Sequence, residues 1–192
     1  MPFRVVAVAA SAGGLAALSQ LLSVLPVDFP APIVIVQHLD RQHPSHMAEI
    51  LGRRTLLLVK EARQGDILGP GTVFIAPPDQ HLLVNADATV SLSHAELVHF
   101  VRPSADLLFE SVAASFKQRA LAVVLTGMGS DGAMGVKAIK KMGGTVVVQD
   151  KATAEFPGMP RAAMETGSVD FVLRLEEIAP ALVDLLSKGC AP

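Results

Sequence analysis

The chain has 192 residues, 51% of them hydrophobic and 18% charged, which suits one domain with a sizeable buried core and a solvated surface and excludes disordered and fibrous classes. A net charge of −2 supplies no broad basic field for nucleic acid or an anionic membrane. No apolar run reaches membrane-spanning length, the start Met1-Pro2-Phe3-Arg4 has no signal-like segment, and the single cysteine, Cys190, excludes an intrachain disulfide, as expected of a reducing cytoplasm.

The first run, Val5-Val6-Ala7-Val8-Ala9-Ala10, stops at Ser11-Ala12-Gly13-Gly14, and Leu15, Leu18, Leu22 and Leu25 then recur at helical spacing. The pattern predicts strand, tight turn and helix. It places the Ser11 hydroxyl at the carboxyl end of a buried strand, where open α/β sheets bind ligands. The turn is a near miss to the Gly-x-Ser-x-Gly nucleophile elbow, with Ala9 in place of the first glycine; taken alone, it reads first as a packing turn.

Ile33-Val34-Ile35-Val36-Gln37 predicts a second strand that ends at His38. A helical stretch over 45–51 and a third apolar run, Thr55-Leu56-Leu57-Leu58-Val59, follow. Three short runs come next, Thr72-Val73-Phe74-Ile75-Ala76, His81-Leu82-Leu83-Val84 and Thr89-Val90-Ser91-Leu92, separated by turn residues. They predict an antiparallel hairpin region laid against the main sheet. Pro103 then opens a helix with Ser104 and Asp106 in its first turn. Residues 121–125 form another apolar strand, followed by Thr126-Gly127-Met128-Gly129-Ser130-Asp131-Gly132 and a helix carrying Val136 and Ile139. A strand at 146–148, a short helix from Pro160, a last strand at 171–173 and a helix over 175–186 complete the pattern. The reading is one α/β domain over residues 1–192, with a doubly wound, mostly parallel sheet and an added antiparallel β-hairpin.

In a parallel sheet the carboxyl ends of the strands share one edge, so Ser11, His38 and the loop containing Asp131 can meet there. A hydroxyl is a weak nucleophile until an imidazole takes its proton, and the imidazole needs a carboxylate on its other nitrogen. Each residue also has a plainer reading: His38 as a satisfied turn histidine, Asp131 as an N-cap for the helix that follows it. A rival reading uses the same loop. Gly127-x-Gly129-x-x-Gly132 matches a dinucleotide fingerprint after a strand, with Asp150 placed to hold a ribose. Against it, Asp131 would set a carboxylate inside the turn meant for a pyrophosphate.

Other polar groups carry less. His38, His43 and His46 lack a metal-binding helix pattern, and Asp79 with His81 falls in a Pro77-Pro78-Asp79 turn. Lys137, Lys140 and Lys141 suit the carboxyl end of a helix. Arg102 and the loop over 43–46 are candidates for a docking surface, with an exposed polar loop as the plainer account.

Taken together, Ala10-Ser11-Ala12-Gly13-Gly14, Gln37-His38, Ile75-Ala76-Pro77-Pro78-Asp79-Gln80-His81, Arg102-Pro103-Ser104-Ala105-Asp106-Leu107-Leu108-Phe109, Leu125-Thr126-Gly127-Met128-Gly129-Ser130-Asp131-Gly132 and Gly158-Met159-Pro160 make the chain resemble the catalytic domain of the chemotaxis protein-glutamate methylesterases, the CheB family. The resemblance implies a Rossmann-like sheet and a triad of Ser11, His38 and Asp131, with Ala12 and Met128 contributing backbone oxyanion contacts. It also implies hydrolysis of glutamate γ-methyl esters on chemoreceptor cytoplasmic helices, with glutamine deamidation as a side activity and no metal or organic cofactor. The implied partners are the methylated receptor domain and, as separate proteins, a receiver or methyltransferase domain. Two departures stand out. Ala12 stands where well-studied members have threonine after the serine, and residues 1–192 are expected to hold the catalytic domain without the receiver domain of two-domain members.

Overall fold

Every residue of β1 (Val5–Ala10) is buried, and its side chains feed two separate cores. Val5, Ala7 and Ala9 enter one, while Val6, Val8 and Ala10 enter the other. Successive strand residues point to opposite faces, so a strand that is apolar throughout must be covered on both sides. The computed structural model describes residues 4–38, 43 and 45–187; the expectations for Met1, Pro2, Phe3 and Cys190 concern residues outside these.

One face of the sheet carries α1 (Gly14–Ser23), α2 (Met47–Gly52) and α6 (Leu175–Ser187), packed through Leu18, Leu22, Leu51, Ile178 and Leu182. The other carries α3 (Ala105–Phe116), α4 (Ala133–Lys141) and α5 (Gly158–Glu165), packed through Phe109, Val112, Val136, Ile139 and Met159. Between them lie β2 (Ile33–Gln37), β3 (Leu58–Glu61), β4 (Thr72–Ile75), β7 (Ala120–Val124), β8 (Thr145–Gln149) and β9 (Phe171–Leu173). The order across the sheet is β3-β4-β2-β1-β7-β8-β9, and every pairing is parallel. A separate antiparallel pair, β5 (His81–Val84) and β6 (Val90–Ser93), packs Leu82, Val84 and Val90 into the core beside α3. The doubly wound sheet with an added hairpin is therefore present.

Two details differ from the expectation. The run beginning at Thr72 is not part of the hairpin: β4 lies inside the parallel sheet between β2 and β3. Its Val73-Phe74-Ile75 core is buried at each position, the mark of a strand covered on both faces. The third run begins later than expected, at Leu58, because Thr55 is used as a turn. Its hydroxyl donates to Leu22 O at 2.8 Å and accepts from Leu57 N–H at 3.3 Å.

From β1 the chain passes to β2, then to the edge strand β3, comes back to β4 between those two, and crosses to β7 on the other side of β1. The strand order reverses between β1 and β7, which opens a crevice at their carboxyl ends. Helices α3 and α4 approach closely beside that crevice at Gly135, where an added Cβ would lie 2.5 Å from Phe109 Cβ and 3.1 Å from Asp106 O. Gly135→Ala is therefore expected to cost about 1–3 kcal/mol through overpacking, read by urea denaturation. Gly69→Ala, which meets open space, should stay within about 0.5 kcal/mol of the parent.

Candidate active site

Backbone hydrogen bonds carry the sheet ladder one step past the strands and hold three loops together. Ser11 N–H donates to Thr126 O at 3.0 Å, and His38 N–H donates to Ala10 O at 3.2 Å. Because Ala10 pairs with Gln37, Ser11 and His38 are the next residues out on adjacent strands. Thr126 Oγ1 donates to Ala12 O at 3.0 Å and accepts from Phe156 N–H at 2.9 Å, which ties the turn after β1 to the loops after β7 and β8.

Asp131 reaches the same edge from the β7 loop. Its Oδ2 accepts from His38 Nε2 at 2.8 Å and from Ala105 N–H at 2.6 Å. Its Oδ1 accepts from Ser104 Oγ at 2.9 Å and Asp106 N–H at 3.1 Å. The carboxylate thus caps α3, a helix remote in sequence, and not the helix that follows it. Ser104 looks like the N-cap of α3, yet its hydroxyl is spent on Asp131. Burial pushes the Asp131 carboxyl up, but the bonds from His38, Ala105 and Asp106, with the attraction of His38, outweigh it and hold the group below the usual aspartate range. Asp131 is therefore a carboxylate that can only accept. His38 must carry its proton on Nε2, which leaves Nδ1 as the basic nitrogen of the neutral ring.

Among the described residues, the N–H groups of Ala12 and Met128 take part in no backbone hydrogen bond. Gly127 lies against Ser11: a Cβ there would stand 2.9 Å from Ser11 Cβ and would also strike the Met159 sulfur. Its N–H donates to Phe156 O at 2.8 Å, so it does not face an incoming phosphate. Asp150 accepts from Thr153 N–H at 2.9 Å and Thr153 Oγ1 at 2.5 Å, closing its own turn. These bonds occupy the Gly127 N–H and one oxygen of Asp150, two of the groups that a dinucleotide site would need.

Several polar residues of the site had only local signals in the sequence. Gln37 is buried and donates from Nε2 to Ser11 O at 2.7 Å and to His38 O at 3.1 Å. At the end of β8, Gln149 accepts from Thr126 N–H at 2.8 Å. A glutamine closing an otherwise apolar strand was the available cue for both. Asp106 accepts from Gly135 N–H at 2.8 Å, and its Oδ2 is buried with no hydrogen-bond partner, 3.5 Å from His99 Nε2. Burial, reinforced by the nearby charge of Asp131, pushes its pKa above the ordinary value despite the Gly135 bond and the attraction of His99. His81 and Asp79 do not form a pair. His81 is fully buried, accepting from Ser104 N–H at 3.1 Å and meeting Glu96 O at 3.0 Å. Arg102 bonds Asp79 at 2.8 Å and also His94 O and Ala95 O, which makes it a loop brace. Lys140 pairs with Asp170 at 2.6 Å. No group of metal-binding side chains occurs among the described residues, and Pro44 of the 43–46 loop lies outside them.

Serine, histidine and buried carboxylate stand at the reversal point of a doubly wound sheet, the residue types of hydroxyl-nucleophile hydrolases, and among the described residues the side-chain bond that joins them is the one from His38 to Asp131. The CheB methylesterase family matches residues 6–182, and the chain belongs to that family. A Leptospira interrogans protein whose name carries protein-glutamate methylesterase and protein-glutamine glutaminase is 43% identical over 96% of both chains. The Moorella thermoacetica protein-glutamate methylesterase/protein-glutamine glutaminase is 46% identical over 96% of this chain but 44% of its own length. For the Myxococcus xanthus protein-glutamate methylesterase FrzG the values are 42%, 95% and 54%, so the chain spans about half the length of these two relatives. The crystal structure of the Thermotoga maritima CheB methylesterase catalytic domain superposes with a TM-score of 0.93 at 38% identity, covering 96% of this chain and all of that one.

Asp131→Asn tests the charged cap. Because the folded-state pKa is lowered, the carboxylate stabilises the fold above the unfolded value, near 3.9, and that contribution fades as pH falls through the lower folded value. The variant should lose about 1–3 kcal/mol at pH 7, and the gap should narrow below about pH 4 in denaturation curves run across pH.

Proposed function

We propose that this chain hydrolyses glutamate γ-methyl esters on the cytoplasmic helices of chemoreceptors, releasing methanol and restoring the carboxylate. The observation that carries the reading is the bond from His38 Nε2 to the buried Asp131 carboxylate, one residue position across the sheet from Ser11, in a chain of the CheB methylesterase family. Asp131 holds the ring and favours the imidazolium that forms. His38 Nδ1 takes the Ser11 proton as Oγ attacks the ester carbonyl. The N–H groups of Ala12 and Met128 receive the oxyanion, each worth on the order of 3 kcal/mol in the transition state. The tetrahedral adduct collapses, the C–O bond to methoxide breaks, and His38 returns the proton so that methanol leaves. Water then repeats the sequence on the glutamyl ester of Ser11, with His38 again as base, and frees the carboxylate and the serine.

Ala12 has no side-chain hydroxyl to add to this site, so only its backbone amide contributes; the replacement tunes the rate without removing a step. Deamidation of glutamine follows the same course with a poorer leaving group and is the slower reaction. No step needs a metal or an organic cofactor. The proposed setting is the cytoplasm, where the receptor helices lie; among the described residues no helix is long and apolar enough to cross a membrane. The proposed organisation is one catalytic domain over residues 1–192, and a receiver or methyltransferase domain on another chain is a further proposed partner. Two of the relatives are about twice this length.

Methanol release from a methylated receptor cytoplasmic fragment tests this directly. Ser11→Ala should remove turnover while circular dichroism stays unchanged, and His38→Gln should lower kcat by roughly 10²–10⁴-fold. Turnover at the parent rate in Ser11→Ala would sink the assignment.

A further inference from the structure

A groove of about 850 Å³ leads away from Ser11 along the exposed side of α1. It begins at Gly14 and runs to Ser23, nine helical steps or roughly 13–14 Å. Leu15 and Ile50 provide apolar wall, both of them exposed, and Ser19 and Ser23 add hydroxyls. The lining contains one formally charged side chain, Arg54. Its position is fixed at the end remote from Ser11, because the next residue, Thr55, donates its hydroxyl to Leu22 O at 2.8 Å and Arg54 N–H donates to Leu51 O at 2.9 Å. Among the described residues no carboxylate pairs with Arg54, whereas its neighbour Arg53 bonds Glu49 at 2.5 Å. A cation with no carboxylate partner among the described residues, at the far end of a groove that starts at Ser11, is placed to meet an anion on whatever lies in that groove.

We propose that Arg54 is a specificity residue that recognises a carboxylate on the substrate helix, two turns from the esterified glutamate and on the same face. The inference rests on the reading of Ser11 as the nucleophile toward a helical protein ester. Two turns of α-helix rise about 11 Å, which matches the groove once the reach of both side chains is included. A helix seated there lays apolar positions on Leu15 and Ile50, its ester on Ser11 and its acid on Arg54, the helix-in-groove mode of recognition. The contact exists before and during the reaction alike, so it acts on KM and leaves kcat alone.

The test uses helical peptides with one glutamate γ-methyl ester and either Glu, Gln or Lys seven residues before or after it, assayed by methanol release with the parent chain, Arg54→Gln and Arg54→Glu. For one of the two directions the parent should prefer the Glu peptide over the Gln peptide by roughly 2- to 5-fold in kcat/KM, expressed in KM, the range for an exposed ion pair. Arg54→Gln should erase that preference, and Arg54→Glu should invert it in favour of Lys. The inversion is a result that a general loss of packing does not produce. Equal kcat/KM on the Glu, Gln and Lys peptides in both directions, for the parent and both variants, would overturn the inference while leaving the hydrolytic reading intact. If the parent releases no methanol from any peptide, that reading fails by itself. Fluorescence anisotropy of the same labelled peptides on Ser11→Ala, alone and combined with each Arg54 variant, then decides the charge preference: a preference that inverts with Arg54→Glu supports the inference, and identical affinities overturn it.

Discussion

The buried carboxylate of Asp131 is the constraint on which the site depends. Removing a charge from water is costly unless the charge is paired and hydrogen-bonded, and here both oxygens are occupied by donors from His38, Ser104, Ala105 and Asp106. The same four contacts fasten the β7 loop to the start of α3 and orient the His38 ring. One ionised group therefore caps a helix, stabilises a loop and sets a tautomer. The neighbouring Asp106 shows the other outcome of burial. One of its oxygens has a backbone donor and the other has none, so its pKa rises while that of Asp131 falls.

The sheet explains why the polar residues gather where they do. Strands buried on both faces have no room for a polar side chain along their length, and the first positions free of that demand are at the ends. Gln37 and Gln149 close β2 and β8, and Ser11 and His38 follow β1 and β2 immediately. The crevice left by the reversal between β1 and β7 gives these groups access to solvent, while close contacts around Gly127 bring the β7 loop against Ser11. Shape and chemistry at this edge have the same origin.

Much of this was legible in the residues. The strand ends at Ser11 and His38, the loop holding Asp131, the helices on both faces and the presence of a hairpin all follow from apolar runs, helical spacing and turn residues. The strand at 72–75 reads as a hairpin strand from its short length and Pro-rich exit, and only pairing reveals that it lies between β2 and β3. Ser104 was legible as a helix start but not as a donor to Asp131. Gln37 and Asp106 stood in motifs without a visible task, because their partners are distant in sequence.

By itself, then, the sequence determined which segments are strands and helices, that the sheet is parallel and covered on both faces, and which residue types stand at its carboxyl edge. Periodicity and turn chemistry are local properties, and a few neighbouring residues suffice to express them. The tertiary structure decided the strand order, the helix that Asp131 caps, the nitrogen of His38 that holds the proton, and the course of the groove from Ser11 to Arg54. Those depend on through-space contacts between residues far apart in the chain, such as His38 with Asp131 and Thr55 with Leu22, and their energies exist only once the two cores have closed on the sheet.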